Sequence, residues 1–314
     1  MLNCKIKEQL INNYSPIDWE NMNVETAREN FLESRKSLKE IRVEVDSIKN
    51  CIINYNHLTI PIRIYTPEGI GPFPVLVYFH GGGFVLGNLD SVDNLCRYLC
   101  KYSERVVVSV DYRLAPENPY PAAIEDAISS ICWINDNKDK INATSSNIAV
   151  AGDSAGGNLA AQAAILLRDS KEIIINSQWL FYPWLDFRLD SKSHELYGEG
   201  YNLTTKELEW YMSLYLPPNI DKNSPSVSPL FQKDLRELPD SFIVTAQYDP
   251  LQDDGAQYAI ALLEAGNSVD YTCIKSLTHS FLNMTGEIDE AKEVLYQIAT
   301  KMKQRNNKVS LDGY

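Results

Sequence analysis

Residues 147–169 read NIAVAGDSAGGNLAAQAAILLRD. The apolar run before Gly152 predicts a short buried strand, and the alanine-rich run after Ser154 predicts a helix. Between them, Gly152-Asp153-Ser154-Ala155-Gly156 fits the pattern G-x-S-x-G, whose meaning depends on a strand before it and a helix after it. Such a turn is sharp. It holds the serine in a strained conformation, with flanking glycines to relieve the crowding, and lifts the hydroxyl above the sheet. The helix that starts there turns its electropositive end toward any negative charge forming at the serine. Gly157, Ala160, Ala161, Ala163 and Ala164 are small enough for this helix to lie close to the sheet. Ser154 is therefore the candidate nucleophile.

On either side, strands and helices alternate. Residues 75–80 (VLVYFH), 106–112, 179–183, 242–249 and 269–275 are short apolar strands by pattern. Helices are predicted around Leu95, Leu99 and Tyr102, over 122–135 behind Pro121, over 252–264, and over 287–304. Residues 41–65 are predicted to hold two early strands around a turn at about Lys49-Asn50. The alternation implies an α/β fold, a mostly parallel central sheet with helices on both faces. The aromatic-rich stretch 186–225, containing Pro217-Pro218, breaks the rhythm. With the amphipathic segment 1–40 it is expected to form a helical cap over the edge where open α/β sheets bind ligands. The catalytic domain would then be 41–185 and 226–314.

A serine hydroxyl needs a base, and the base needs a carboxylate to orient it. On G-x-S-x-G sheets the chain order is serine, acid, histidine. Of the four histidines (His57, His80, His194 and His279), His279 alone follows the late acidic cluster, in a loop just beyond the last strand. Asp249 ends the strand before it. Asp253 and Asp254 compete, but they open the next helix, where a carboxylate simply favours the dipole. His80-Gly81-Gly82-Gly83-Phe84 follows the strand at 75–79. Its backbone amides at Gly81, Gly82 and Gly83, together with that of Ala155, are candidates for an oxyanion hole. The spacing lacks the GKS/T ending of a phosphate loop. His80 is expected to brace the glycine loop. Phe84, beside that loop, and the cap residues Phe187 and Trp210 are candidates for an acyl pocket, with Trp19, Phe31, Tyr197 and Tyr211 as further cap aromatics.

Composition narrows the alternatives. A formal charge of −13 disfavours nucleic acid and anionic lipid as partners. No run approaches the roughly 20 apolar residues of a membrane span. Lys5, Lys7 and Glu8 interrupt any signal-peptide core. The six cysteines form no CxxC pair and no cluster with histidine, so a metal site is not expected, and free thiols in the cytoplasm are.

HGGGF at 80–84, GDSAGG at 152–157, YDPLQDDG at 248–255 and THSF at 278–281, in that order, resemble the hormone-sensitive-lipase family of bacterial esterases. Asp111–Glu117 (DYRLAPE) and Pro121–Asp126 (PAAIED) are similar to further signatures of that family. The resemblance covers residues 40–314. It implies an α/β-hydrolase fold and a carboxylesterase for short to medium acyl esters that needs neither metal nor cofactor. It also implies Ser154, Asp249 and His279 as the triad, and it fits a homodimer. One departure is Ser280, where the family usually has glycine. The same elbow serves acyl transfer generally, so amides, thioesters and acetylated sugars stay open as substrates. An inactive, purely binding member of the fold is the remaining alternative.

Overall fold

The computed structural model describes residues 1–12, 18–38 and 42–306. Positions 13–17 and 39–40 of the expected cap segment lie outside the described residues. Among the described residues the chain builds one eight-stranded sheet in the order β1-β2-β4-β3-β5-β6-β7-β8. The strands are β1 (Ser47–Tyr55), β2 (Leu58–Thr66), β3 (Phe73–Phe79), β4 (Val106–Val110), β5 (Ala143–Asp153), β6 (Ile175–Phe181), β7 (Asp240–Tyr248) and β8 (Val269–Thr278). β1 pairs antiparallel with β2, and β2 with β4. From β4 onward every pairing is parallel. This is the α/β-hydrolase arrangement that the strand–helix alternation predicts.

The early turn falls elsewhere than expected. β1 and β2 meet as a two-residue hairpin at Asn56-His57, with Tyr55 opposite Leu58. Both turn residues have positive φ, as a tight hairpin of the primed type demands. Lys49 and Asn50 sit inside β1, opposite Ile64 and Arg63. Asn50 accepts a hydrogen bond from Arg63 Nε at 2.7 Å across the ladder. The polar residues that resemble a turn in sequence are in fact exposed positions of an edge strand.

The central strands are apolar on both faces because both are covered. Val75, Val77 and Phe79 of β3 pack into one core with α4 (Ala122–Asp136), α5 (Ala155–Ser170) and α8 (Gln252–Glu264). Leu76 and Tyr78, the alternate residues, pack into a second core with α3 (Asp93–Ser103) and α9 (Asp289–Asn306). A side-chain period of two thus sorts one strand between two helical layers. Strand order reverses at β3: β4 lies on one side of it and β5 on the other. In open α/β sheets such a switch point leaves a crevice at the strands' C-terminal ends.

The remaining helices are α1 (Cys4–Asn12), α2 (Val24–Ser37), α6 (Lys192–Tyr197) and α7 (Thr205–Tyr215). The segment 1–38 divides between two surroundings. α1 joins the second core through Ile6, and Asn3 N donates to Ser276 O at 2.8 Å. α2 is fastened at the crevice instead, where Arg28 donates to Val85 O at 3.0 Å and Ala115 O at 2.8 Å and pairs with Glu117. Trp19, just before α2, stacks obliquely on Trp210 of α7 at 5.3 Å.

Candidate active site

Four strand ends deliver the groups singled out in the sequence. β5 runs into the turn at Ser154, which has φ 56° and ψ −118°. A side chain at Gly156 would collide with the carbonyl of Phe79, so α5 can cross β3 this closely only with glycine there. Ser154 N donates to Phe181 O at 2.9 Å, and Trp184 N donates to Ser154 O at 3.1 Å, which pins the strained residue from both sides. Such strain persists only where the surroundings over-determine it.

β7 ends at Asp249 and β8 leads to His279. Asp249 Oδ2 lies 2.7 Å from His279 Nδ1, and His279 Nε2 lies 3.0 Å from Ser154 Oγ. All three side chains are buried. The other carboxylate oxygen of Asp249 accepts from Leu251 N at 2.9 Å. The imidazole is held further by Tyr182, whose ring meets it edge-on at 4.9 Å, and by Asn202, whose amide donates to the His279 carbonyl at 2.9 Å. Asp253 and Asp254 point elsewhere: Asp253 accepts from Ser193 N, and Asp254 accepts from the amides of Leu185 and Asp186.

The glycine loop after β3 corrects one expectation. Gly81 N donates to Asp153 Oδ1 at 2.9 Å, so that amide is already engaged. Tyr78 Oη donates to the same oxygen at 2.7 Å. The amides of Gly82, Gly83 and Ala155 make no such bond among the described residues. The residue between Gly152 and Ser154 thus has a job that the pattern G-x-S-x-G does not announce: it ties the serine turn to the glycine loop. His80 lies behind that loop. Its ring stacks on Tyr112 at 4.3 Å, and Nδ1 donates to Gly81 O at 2.7 Å. Burial pushes its pKa below the ordinary imidazole range, against the hydrogen bond to Gly81, which favours the charged ring. Tyr112 Oη donates to His80 O at 2.7 Å, and Asp126 accepts from Arg113 N at 2.8 Å. The two motifs 111–117 and 121–126 therefore brace the loop rather than face a substrate.

Two further expectations need correction. Phe84 and Phe187 are each 0% exposed. Phe84 stacks face to face on Tyr215 at 3.9 Å, and Phe187 stacks on Trp184 at 4.3 Å. They form packed core and offer no surface to a substrate; Phe84 adjoins the loop in sequence but points into the protein, where Phe187 joins it at 6.1 Å. Trp210 is likewise buried, under Trp19. A cleft of ≈ 970 Å³ opens onto His279, and its aromatic lining includes Trp19, Phe31 and Tyr201. The polar lining was not foreseen: Arg35, His194 and Glu207. Burial raises the Glu207 carboxyl to about 7, against hydrogen bonds from Tyr211 and the Thr204 backbone and the nearby His279 and Arg35 side chains. It lowers the pKa of His194, whose ring nitrogens have no partner among the described residues. No group of His, Cys, Asp and Glu residues among the described residues has the geometry to hold a metal ion. No described helix is long and apolar enough to cross a membrane.

A family model described as alpha/beta hydrolase fold matches residues 76–283. The chain is 44% identical over 231 residues to a carboxylic ester hydrolase, LipN, of Mycobacterium tuberculosis, covering 72% of this chain and 61% of that one. It is 34% identical over 280 residues to an arylesterase of Saccharolobus solfataricus, covering 87% and 90% of the two chains. The solved structure of a hyperthermophilic esterase from Pyrobaculum calidifontis superposes with a TM-score of 0.91 at 38% identity, over 97% of this chain and 99% of that one. With its sheet order, its serine turn and these relatives in agreement, the chain belongs to the α/β-hydrolase family, in the branch that resembles hormone-sensitive lipase.

Proposed function

We propose that the protein is a serine carboxylesterase acting on short to medium acyl esters, with Ser154 as nucleophile, His279 as base and Asp249 as its orienting acid. The observation that carries this reading is the continuous chain Asp249 Oδ2–His279 Nδ1 at 2.7 Å and His279 Nε2–Ser154 Oγ at 3.0 Å. Those distances are within reach for proton transfer. His279 Nε2 takes the proton of Ser154 as Oγ attacks the ester carbonyl. The carbonyl oxygen becomes an oxyanion and receives hydrogen bonds from the amides of Gly82, Gly83 and Ala155. Each such donor is typically worth about 2.7–4 kcal/mol. The tetrahedral species collapses, the C–O bond to the alcohol breaks, and the alcohol leaves with the proton from His279. Water, deprotonated by His279, then cleaves the acyl-enzyme and regenerates Ser154. Asp249 fixes the tautomer that leaves Nε2 free to accept and stabilises the imidazolium as it forms.

The helices α2, α6 and α7 act as a cap in this reading. Their anchors at Val85, Ala115 and His279 support it, because they tie the cover to the glycine loop and the histidine loop. A cytoplasmic location agrees with six free cysteines. A homodimer would use the apolar surface of Ile260 and Leu263 on α8, beside the edge strand β8; sedimentation velocity measures it. Ser154→Ala tests the core of the proposal. Turnover of a p-nitrophenyl ester should fall by about 10⁴–10⁶, and labelling by a fluorophosphonate should disappear. An unchanged rate would refute it.

A further inference from the structure

Two tyrosines of α7, four residues apart and so on one face of the helix, meet two consecutive residues of the glycine loop. Tyr215 stacks face to face on Phe84 at 3.9 Å. Tyr211 lies against Gly83 itself, so close that a side chain there would collide with its ring. Residue 83 is glycine for two reasons, its φ of 62° and the ring it admits. The loop depends on that ring. Val85 N and Leu86 N close the turn onto Gly82 O at 3.0 and 2.8 Å, but neither the amide nor the carbonyl of Gly83 makes a hydrogen bond among the described residues. A free amide is what an oxyanion requires. It also leaves the direction of that N–H unfixed by any backbone partner.

The ring is held from the start of its own helix. Thr204 Oγ1 accepts from Glu207 N at 3.2 Å, and the Glu207 carboxyl accepts in return from the Thr204 backbone, the reciprocal pair of a capping box. One turn further on, Tyr211 Oη donates to Glu207 Oε1 at 2.6 Å. Trp19 and Trp210 flank the ring at 6.2 and 5.3 Å. Tyr211 is only 4% exposed, so the ring is packed on the loop and not presented to a substrate. An oxyanion donor is effective when it is aimed beforehand at the place where charge develops. Resting on the hydrolase reading above, we propose that Tyr211 is a positioning residue for the oxyanion hole: its ring, seated on Gly83 and tethered by Glu207, fixes the direction of the Gly83 amide.

Two substitutions test this. Tyr211→Met leaves a flexible apolar chain in place of the ring, and Tyr211→Phe removes only the hydroxyl. Each is read by kcat and KM for a p-nitrophenyl ester and by Ki for an alkyl trifluoromethyl ketone. Ser154 Oγ adds to the carbonyl carbon of the ketone, the serine proton passes to His279, and the ketone oxygen takes the negative charge in the hole, so Ki reports the hole directly. In Tyr211→Met, kcat should fall about ten- to a hundredfold with KM little changed, and Ki should rise by the same factor. Tyr211→Phe should lose much less, because the ring stays between Trp19 and Trp210. An unchanged Ki in Tyr211→Met would overturn the inference, and so would a phenylalanine variant as impaired as the methionine one. KM and Ki belong to the folded molecules alone, so partial unfolding, which lowers kcat through the active fraction, cannot imitate the expected result. Tyr211→Leu is a second ringless variant, and it should repeat the rise in Ki; a wild-type Ki there overturns the inference equally. Fluorophosphonate labelling of Ser154 in the wild type keeps the two levels apart. Wild-type turnover and labelling with Ki unmoved by the variants sink only the role of Tyr211. No turnover and no labelling in the wild type sink the hydrolase reading as well.

Discussion

At the sheet edge, Ser154, Asp249, His279 and the glycine loop leave the ends of four parallel strands, and ladder hydrogen bonds fix each strand's register against its neighbour. In the proposed helical cover, Arg35, Glu207 and Trp19 come from segments that pair with no strand and are positioned by a few side chains: Arg28 on the loop carbonyls, Tyr211 over Gly83, Trp19 on Trp210. The first region is over-determined and the second depends on single contacts. Damage to the sheet edge should therefore abolish chemistry while leaving the fold intact. Damage to the cover should change stability and selectivity by smaller, graded amounts.

Asp249→Asn attacks the over-determined region. The shape is preserved but the imidazole loses the partner that selects its tautomer, and kcat for a simple ester should drop by about 10⁴, with the circular dichroism spectrum unchanged. A drop of less than tenfold would place the acid elsewhere. Arg28→Ala attacks the cover's main anchor. Two buried carbonyls lose a charged donor, and unfolding in urea should show a loss of about 2 kcal/mol. No loss would mean that the cover is held by its apolar contacts alone.

Glu207→Gln sharpens the comparison through pH. The folded protein holds this carboxyl's pKa near 7, against a reference of 4.5. Between those values the folded state keeps a proton that the unfolded chain has released. The stability this group contributes is complete below pH 4.5 and is lost as pH rises through 7. The glutamine variant lacks that loss. Its melting temperature relative to wild type should rise between about pH 5 and about pH 8 by roughly 2–4 °C, on the order of 1 kcal/mol once water in the cleft is allowed for. A constant difference across that range would show that the carboxyl is not desolvated.

Ser280→Gly carries the smallest expected effect. Ser280 has φ 62° and ψ 19°, the left-handed region that favours glycine. Relief of that strain is worth about 1 kcal/mol, partly offset by the greater freedom of glycine in the unfolded chain. The variant should be slightly more stable than wild type, by differential scanning calorimetry. A clear loss would mean that the hydroxyl makes a contribution of its own.

Residues 147–157 carried the serine turn in full, because a strand, two glycines and a helix must stand in that order for the turn to exist. Asp249 and His279 could be singled out because the order of catalytic groups along the chain follows from which strands end at the same edge. Gly81 could not be separated from Gly82 and Gly83 in sequence; the tertiary contact with Asp153 decided which amides stay free. Nor could the sequence distinguish a packed aromatic from a lining one. Phe84 and Phe187 became core while Trp19 and Phe31 reached the cleft, since that choice depends on how loops and cap segments that no ladder fixes pack together. That Arg35 and Glu207 line one cleft was invisible for the same reason. Local sequence sets which groups stand at a strand end, but only the packing of distant segments decides which side chains are brought together around them.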